Sequence, residues 1–594
     1  MHLPRSTVSL AIASACLPSV FGRFLGPLDP TPVDISSESS VVKATWNNIT
    51  SQLHAHFDGS KPIKGLSILN ENTFSLGLFS PHDAGATALQ YHYTGPFVKN
   101  STLGVNNVDG DSIYRVASMT KAITVYAGLL LLNETDWNTP LSKIFPEIAS
   151  LPADDPVHHV QWDTITPFSL ASQISGVPRD AFPFFTEDIW VVFETNEPPI
   201  NPLTRGLPKL NTTAPGLNVP CLTANCSATA YLKGIQAPLF PSFQTPGYAD
   251  TNFVLLGRVI SRLTGLPQNE DWFQKAVFEP LDMSKTSSVS PTKKPYEGYV
   301  VTGSVAGFAT PGGISSSSGG VFSTTNDVAK LGNSILNSTL LPSWQTRKWL
   351  KPTTFTAGTQ FAVGLAWEIY RYTDPVTGHV TDFYTKQGDS GNYASYLVLV
   401  PDYDFGFSIL MGTSLAGQAE QSAGVELLAD LLSEALLPAL REQAAAEAKK
   451  NYEGTYVGGK GENNGSTSYI TLEYNTTAGP GFGLTITEMF NDGVNMSSIL
   501  ADFIGSPQVV LAPSTFDGAK KQRGFIMTGV INSPAPYTGL FSKAYATNDD
   551  WLTNNVVTYG GETFASIYFD LDNDGSAISL TSPAMRETFT RKKD

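Results

Sequence analysis

Only three cysteines are spread over 594 residues, and no Gly-x-Ser-x-Gly pentapeptide occurs anywhere in the chain. The first shortage argues against a disulfide-dense scaffold or a cysteine-built metal site. The second excludes the sharp strand–turn–helix elbow that presents the serine of one large class of hydrolases. Histidine is sparse as well: His2, His54, His56, His82, His92, His158, His159 and His379 form no set with matched carboxylate spacing. Neither a Ser-His-Asp triad nor a histidine metal site is therefore expected. No apolar run reaches the roughly 18 residues that a membrane-crossing helix needs. Charged residues make up 15% of the chain, with a net charge of −16. Such a balance disfavours nucleic acids and anionic membranes as partners, since both attract basic patches. Cofactor motifs are missing too. The Gly/Ser-dense stretch from Gly312 to Gly320 lacks the Gly-Lys-Ser/Thr ending of a phosphate loop. Asp570-Leu571-Asp572-Asn573-Asp574-Gly575 imitates a calcium loop but has Thr581 where the twelfth position needs glutamate, so a hairpin turn is the reading. No metal and no cofactor are expected.

What is present describes an exported, ordered protein of more than one domain. Apolar residues are 41% of the chain, enough for sizeable cores. Arg5 followed by the short apolar segment Val8 to Leu17 and small residues up to Gly22 reads as a signal peptide over residues 1–22. If Cys16 leaves with it, Cys221 and Cys226 remain as an even pair with four residues between them, suited to a small disulfide loop. Nine Asn-x-Ser/Thr sequons (Asn48, Asn100, Asn133, Asn211, Asn225, Asn337, Asn464, Asn475 and Asn495) agree with a secreted glycoprotein.

Along the chain, Trp46, Ile49, Leu53 and Phe57 recur at helical spacing within a helix from Val41. Gly65 to Leu69, Thr73 to Phe79 and Ser112 to Val116 read as strands feeding a long helix, an α+β arrangement. A capped short helix is expected between Thr166 and Gly176, then an irregular insertion from residue 179 to about 240 that holds the cysteine pair. Phe361 to Tyr370, Asp382 to Lys386, Ser395 to Val400 and Phe405 to Met411 read as hairpins of one antiparallel sheet, closed by a helix from Ala416 to about Lys450. Beyond it, alternating segments predict an all-β, barrel-like domain over 446–594, leaving 23–445 as the first domain.

The chemistry is carried by Ser118-Met119-Thr120-Lys121. The tetrapeptide Ser-x-x-Lys also occurs at Ser40–Lys43 and Ser290–Lys293, but only Ser118 follows a strand-like run and opens an apolar helix. On a helix, Lys121 lies one turn after Ser118 on the same face, where an amine can meet a hydroxyl. Two later stretches supply partners. Pro246-Gly247-Tyr248-Ala249-Asp250 presents a tyrosine on a loop just before a helix, and Lys386-Gln387-Gly388-Asp389 sets a lysine and a close-approach glycine on a strand.

Ser118-x-x-Lys121, Tyr248-Ala249-Asp250 and Lys386-Gln387-Gly388, in this order, resemble the serine β-lactamase and penicillin-binding-protein family, especially its class C-like and D-aminopeptidase or esterase branch. The resemblance spans about residues 40–434, and the leader and extra β-domain look like the secreted fungal β-lactamase-like proteins. It implies a β-lactamase/transpeptidase-like fold, an antiparallel sheet flanked by helices with a helical subdomain. It also implies two-step acyl transfer through Ser118, with Lys121 and Tyr248 sharing the proton, on an ester, amide or peptide bond of a small-molecule or peptide substrate. Asp250, Lys386, Gln387, Gly388 and Asp389 would bind substrate, and the oxyanion would be held by the Ser118 backbone N–H and one near Asp389. Asp250 departs from the family's usual Asn, Gln387 from its Thr, Ser or Gly, and Gln173 stands where many relatives have His. An acyltransferase using the same Ser118, and an inert binding protein on the same fold, are the alternatives.

Overall fold

The computed structural model describes residues 25–179, 198–209, 237–266, 269–303, 313–413, 418–459, 467–479, 481–504, 506–518, 521–529 and 557–593, with isolated positions such as Leu232 and Phe308 between them. The leader, Cys221, Cys226, Asn211, Asn225 and Asn464 lie outside the described residues. The chain forms two units, one of Thr31–Arg371 with Asp382–Ala444, the other of Met1–Pro30, Tyr372–Thr381 and Ala445–Asp594.

In the first unit the strands are β1 (Asn72–Phe79), β2 (Gln90–Tyr93), β3 (Tyr114–Arg115), β4 (Phe322–Ser323), β5 (Thr354–Phe355), β6 (Phe361–Val363), β7 (Glu368–Thr373), β8 (Val380–Asp389), β9 (Tyr393–Val400) and β10 (Phe405–Thr413). Eight of them make one sheet in the order β2-β1-β10-β9-β8-β7-β6-β5, while β3 and β4 pair separately. The pairing is antiparallel, with Gly77 opposite Ser408 and Gly388 opposite Ser395. Strands β1, β9 and β10 are buried throughout, because helices cover both faces. The Val41–Phe57 helix buries Val42, Trp46, Ile49 and Leu53, an apolar stripe, and the Ser40 side chain caps it by accepting from Lys43 N. The first Ser-x-x-Lys is thus a helix start. A second cluster gathers Ile123, Val125, Tyr126, Phe253, Leu256, Trp272 and Phe273 around the Thr120–Leu131 and Asp250–Thr264 helices, which forms the helical subdomain.

Some local expectations change. Gly65 to Leu69 is a 3-10 turn (Leu66–Leu69) instead of a strand, since Gly65 takes φ +98 and Leu66 and Leu69, three apart, both point inward. The expected strand Phe361 to Tyr370 is two strands, broken where Gly364 N bonds to Trp367 O at 2.9 Å and Ala366 turns to φ +63. Of Ser112 to Val116, only Tyr114–Arg115 is strand, paired to β4 and not to the large sheet.

The second unit closes on itself. Its strands are β11 (Gly454–Gly458), β12 (Tyr469–Asn475), β13 (Gly483–Asn491), β14 (Val494–Asn495), β15 (Val509–Gly518), β16 (Gln522–Gly529), β17 (Thr558–Tyr559), β18 (Glu562–Thr563), β19 (Ser566–Leu571), β20 (Ala577–Ser582) and β21 (Glu587–Arg591). The order β12-β11-β21-β20-β19-β16-β15-β13 ends where β13 pairs back onto β12, which makes an eight-stranded antiparallel barrel with β14 beside β13. Closure removes the open edges that a lone sheet would present. Ile470, Leu472 and Tyr474 alternate into its core, where Tyr452, Phe525 and Phe569 meet edge to face. Asp572 to Ser576 is a hairpin turn between β19 and β20, with Gly575 at φ +84.

Candidate active site

Ser118 does not sit on the long helix but one step ahead of it, in the 3-10 turn Ala117–Met119 that leads into Thr120–Leu131. Pairing of β3 with β4, and Val116 N on Val321 O at 3.0 Å, hold the chain up to that turn. Ala117 then takes φ +46, a left-handed conformation that costs a non-glycine residue about 1 kcal/mol. This kink aims Ser118 away from the strand. One helical turn on, Lys121 is fully buried, and its ammonium donates to Ser118 Oγ at 2.8 Å, Ser318 O at 3.0 Å and Asp250 Oδ1 at 2.5 Å. Three donors meet three acceptors.

Tyr248 reaches the same hydroxyl from the other side, its Oη donating to Ser118 Oγ at 2.9 Å. Burial pushes this phenol well above its ordinary value, with the Lys386 charge opposing, so Tyr248 holds its proton at neutral pH. Three cations stand over its ring, Lys121 at 5.1 Å, Lys386 at 5.2 Å and Arg179 at 5.2 Å from the centroid. The Tyr248 loop is pinned by Gln173. Its carbonyl accepts from Gly247 N and its side-chain oxygen from Ala249 N, each at 2.9 Å, while Asn252 Nδ2 donates to the same oxygen at 2.6 Å. Gln173→Ala removes two of these three ties. It is expected to slow covalent labelling of Ser118 about tenfold at a stability cost of about 1–3 kcal/mol. A labelling rate equal to wild type would show that the loop holds Tyr248 without Gln173.

Asp250 begins the Asp250–Thr264 helix and turns inward, where its Oδ1 accepts from Lys121 Nζ and from Ser318 Oγ. Burial acts to raise this carboxyl, but the Lys121 charge, then hydrogen bonds from Lys121 and Ser318, hold it below its ordinary 3.8. The pair is an ammonium and a carboxylate, closed off together. Ser318 belongs to the short helix Ser316–Gly319, whose Ser317 carbonyl also accepts from Thr124 Oγ1 at 2.7 Å. Small, uncharged side chains let that turn lie between the two site helices.

Strand β8 supplies the third wall. Lys386 is buried, with its Nζ near the Tyr248 ring and 2.5 Å from Glu368 Oε1. Gly388 faces Ser118: a β-carbon there would strike the Val116 carbonyl and stand 2.5 Å from Ser395 Oγ and 2.9 Å from Ser118 N. Gly388→Ala must therefore push the serine turn away, and displacement on the ångström scale is expected to cost roughly 100-fold in labelling rate. Full reactivity in that variant, with an unchanged melting curve, would contradict the packing. Gln387 is the sequence-derived site residue that the strand turns away. Alternation sends its side chain to the other face, 3.4 Å from Glu426 Oε1, so it does not join Ser118. Asp389 ends the strand with an exposed side chain accepting from Gly391 N at 3.0 Å; its backbone, not its carboxylate, is what lies next to Gly388.

Ser118, Lys121, Tyr248, Asp250, Lys386 and Gly388 are thus brought together. Sequence reasoning missed Glu368, Ser318 and the loop-fixing role of Gln173. Glu368 alternates in β7 with no motif around it, and Ser318 sits in a stretch weighed only as a phosphate loop. Three of the histidines are engaged elsewhere, His56 with Asn70, His82 with Asp404 and His92 with Ser75. Among the described residues no group of His, Cys, Asp and Glu could hold a metal ion, and no helix is long and apolar enough to cross a membrane.

The sequence profile of the β-lactamase family matches residues 90–429, more than half of the chain. The chain belongs to the β-lactamase family. A second profile, "Beta-lactamase-like-like, C-terminal domain", matches residues 444–593. A β-lactamase-like protein of Arthroderma benhamiae is 28% identical over 503 residues, covering 82% of this chain and 78% of that protein. The probable hydrolase M10 of Phoma sp. is 25% identical over 576 residues, covering 93% and 89%. Among solved structures, a β-lactamase/D-alanine carboxypeptidase from Yersinia pestis complexed with citrate shares 18% identity at a TM-score of 0.45, over 65% of this chain and 99% of that one. The family supplies the fold, a β-lactamase/transpeptidase-like first unit followed by the barrel, and it is a family of hydrolases.

Proposed function

We propose that the protein is a secreted serine hydrolase that cleaves an ester, amide or peptide bond through an acyl-enzyme on Ser118. The observation that carries this reading is the shared hydroxyl: Ser118 Oγ receives both Lys121 Nζ at 2.8 Å and Tyr248 Oη at 2.9 Å. A serine attacks a carbonyl only when a neighbour can take its proton. As the Oγ–carbon bond forms, the Oγ proton passes to Lys121 in its free-amine form. Tyr248, which keeps its phenolic proton, delivers one to the departing oxygen or nitrogen as the old bond breaks. Its proton is replaced from Lys121. Water then repeats the sequence in reverse and frees the acid. Backbone N–H groups of Ser118 and Asp389, brought close by Gly388, would hold the oxyanion.

Export is part of the same reading. It is supported by the basic-then-apolar leader, the Cys221 and Cys226 pair, which would form a disulfide, and the sequons. Asn48, Asn133, Asn337 and Asn495 are exposed and open to glycans; Asn100 is exposed with its Nδ2 on Pro96 O at 2.9 Å, and Asn475 is half-buried with its Nδ2 on Gly481 O at 2.8 Å. Substrate is a small molecule or peptide, and no cofactor enters.

Incubation with a fluorophosphonate, followed by intact-mass and peptide mapping, tests the proposal. One adduct on the peptide containing Ser118 is expected. Absence of any adduct across a range of pH would sink it in favour of an inert binding protein. Product formation that rises with added acyl acceptors beyond hydrolysis would favour an acyltransferase.

A further inference from the structure

Lys386 is one of three cations beside the Tyr248 ring, and in this protein its charge is already met. Glu368, on the neighbouring strand β7, places Oε1 2.5 Å from Lys386 Nζ, while its Oε2 accepts from Gln387 N at 2.8 Å. Lys386 Nζ also donates to the Gln387 carbonyl at 2.7 Å. Both carboxylate oxygens are held, and the pair is largely closed to water, with side-chain exposures of 3% for Lys386 and 19% for Glu368. A second carboxylate arriving at Lys386 would meet a fixed negative charge where water is scarce, and like charges repel strongly there. The chain leading to Tyr248 adds a different surface: Leu239, Phe240 and Phe243 are exposed, and Gly247 lies against the Phe240 ring.

We propose that Glu368 is a specificity-determining residue. Its carboxylate occupies the position from which Lys386 would read a substrate carboxylate. The site therefore takes uncharged esters or amides and rejects those whose leaving group carries a carboxylate. The apolar rim suits the same class. This rests on the serine-hydrolase reading of Ser118, and Glu368 acts through Lys386 without touching the reacting atoms.

The test compares two thioesters, phenylacetyl-thioglycolate and its methyl ester, which differ by one negative charge on the leaving group. Hydrolysis is followed by thiol release, and each compound is also used to protect Ser118 from fluorophosphonate. The full-length wild type is expected to favour the methyl ester at least about tenfold in kcat/KM, the effect of one strong charged interaction. Protection should show the same preference. Glu368→Gln should bring the ratio to about one or invert it, whereas Glu368→Asp, which keeps the charge, should retain the ester preference. A merely structural role for Glu368 would lower both rates together. A labelled wild type that handles acid and ester equally, in turnover or in protection, overturns the proposal. So does an unchanged ratio in folded Glu368→Gln. If the wild type takes no label at all, the failure lies with the serine-hydrolase reading itself.

Discussion

Replacing Ser118 by alanine is expected to lower hydrolysis by about 10⁴- to 10⁶-fold and to remove the fluorophosphonate adduct completely. The size follows from what is lost. Lys121 and Tyr248 both aim at Ser118 Oγ, so without it the proton machinery has nothing to activate. The fold should survive. Lys121 keeps Asp250 and the Ser318 carbonyl, and one missing hydrogen bond is worth only about 1 kcal/mol. The melting temperature should therefore move by no more than a few degrees. A folded Ser118→Ala protein that retained a tenth of wild-type turnover would place the chemistry elsewhere.

Asp250→Asn is expected to move the acid limb of the kcat/KM profile to lower pH by more than about one unit. In the wild type, Asp250 is held ionised by the Lys121 charge and by hydrogen bonds from Lys121 and Ser318 against the opposing effect of burial. Its carboxylate in turn stabilises the ammonium of Lys121, which must be emptied before it can accept the Ser118 proton. An uncharged amide removes that stabilisation from a fully buried lysine, so the free amine appears at lower pH. Stability should show a matching signature. Asp250 has a folded pKa below 3.8, so the wild-type contribution is present above that pH and lost as pH falls through the depressed value. The variant lacks that component of acid destabilisation. Limbs that superimpose within about 0.3 units would mean that Lys121 is not the group whose charge controls the reaction.

The motif residues were legible because each is fixed by local geometry. Ser118 and Lys121 are one turn apart whatever surrounds them. Tyr248 precedes a helix that its own sequence announces, and Gly388 follows a lysine in an alternating strand. Local geometry also settles the two decoys. Ser40 spends its hydroxyl on the Lys43 amide at a helix start, and Lys293 is exposed in a turn-rich loop. Gln387 marks the limit of motif reading. Adjacent to two site residues in sequence, it points to the opposite face because strand side chains alternate.

By itself the sequence determined the α+β character of the first unit, the β-rich second unit, the order of the three motifs and the helix-spaced pairing of Ser118 with Lys121. Those features depend on periodicity and on neighbours a few residues apart. The charge partners were decided by the tertiary structure. Glu368 meets Lys386 because β7 and β8 are adjacent in the sheet, and Asp250 meets Lys121 across a turn of four small residues, Ser316–Gly319, far from both in sequence. No periodicity encodes which carboxylate will neutralise which lysine, since that depends on how strands and helices from distant segments pack. In this protein those two pairings set the proton state of the site and the charge it will accept.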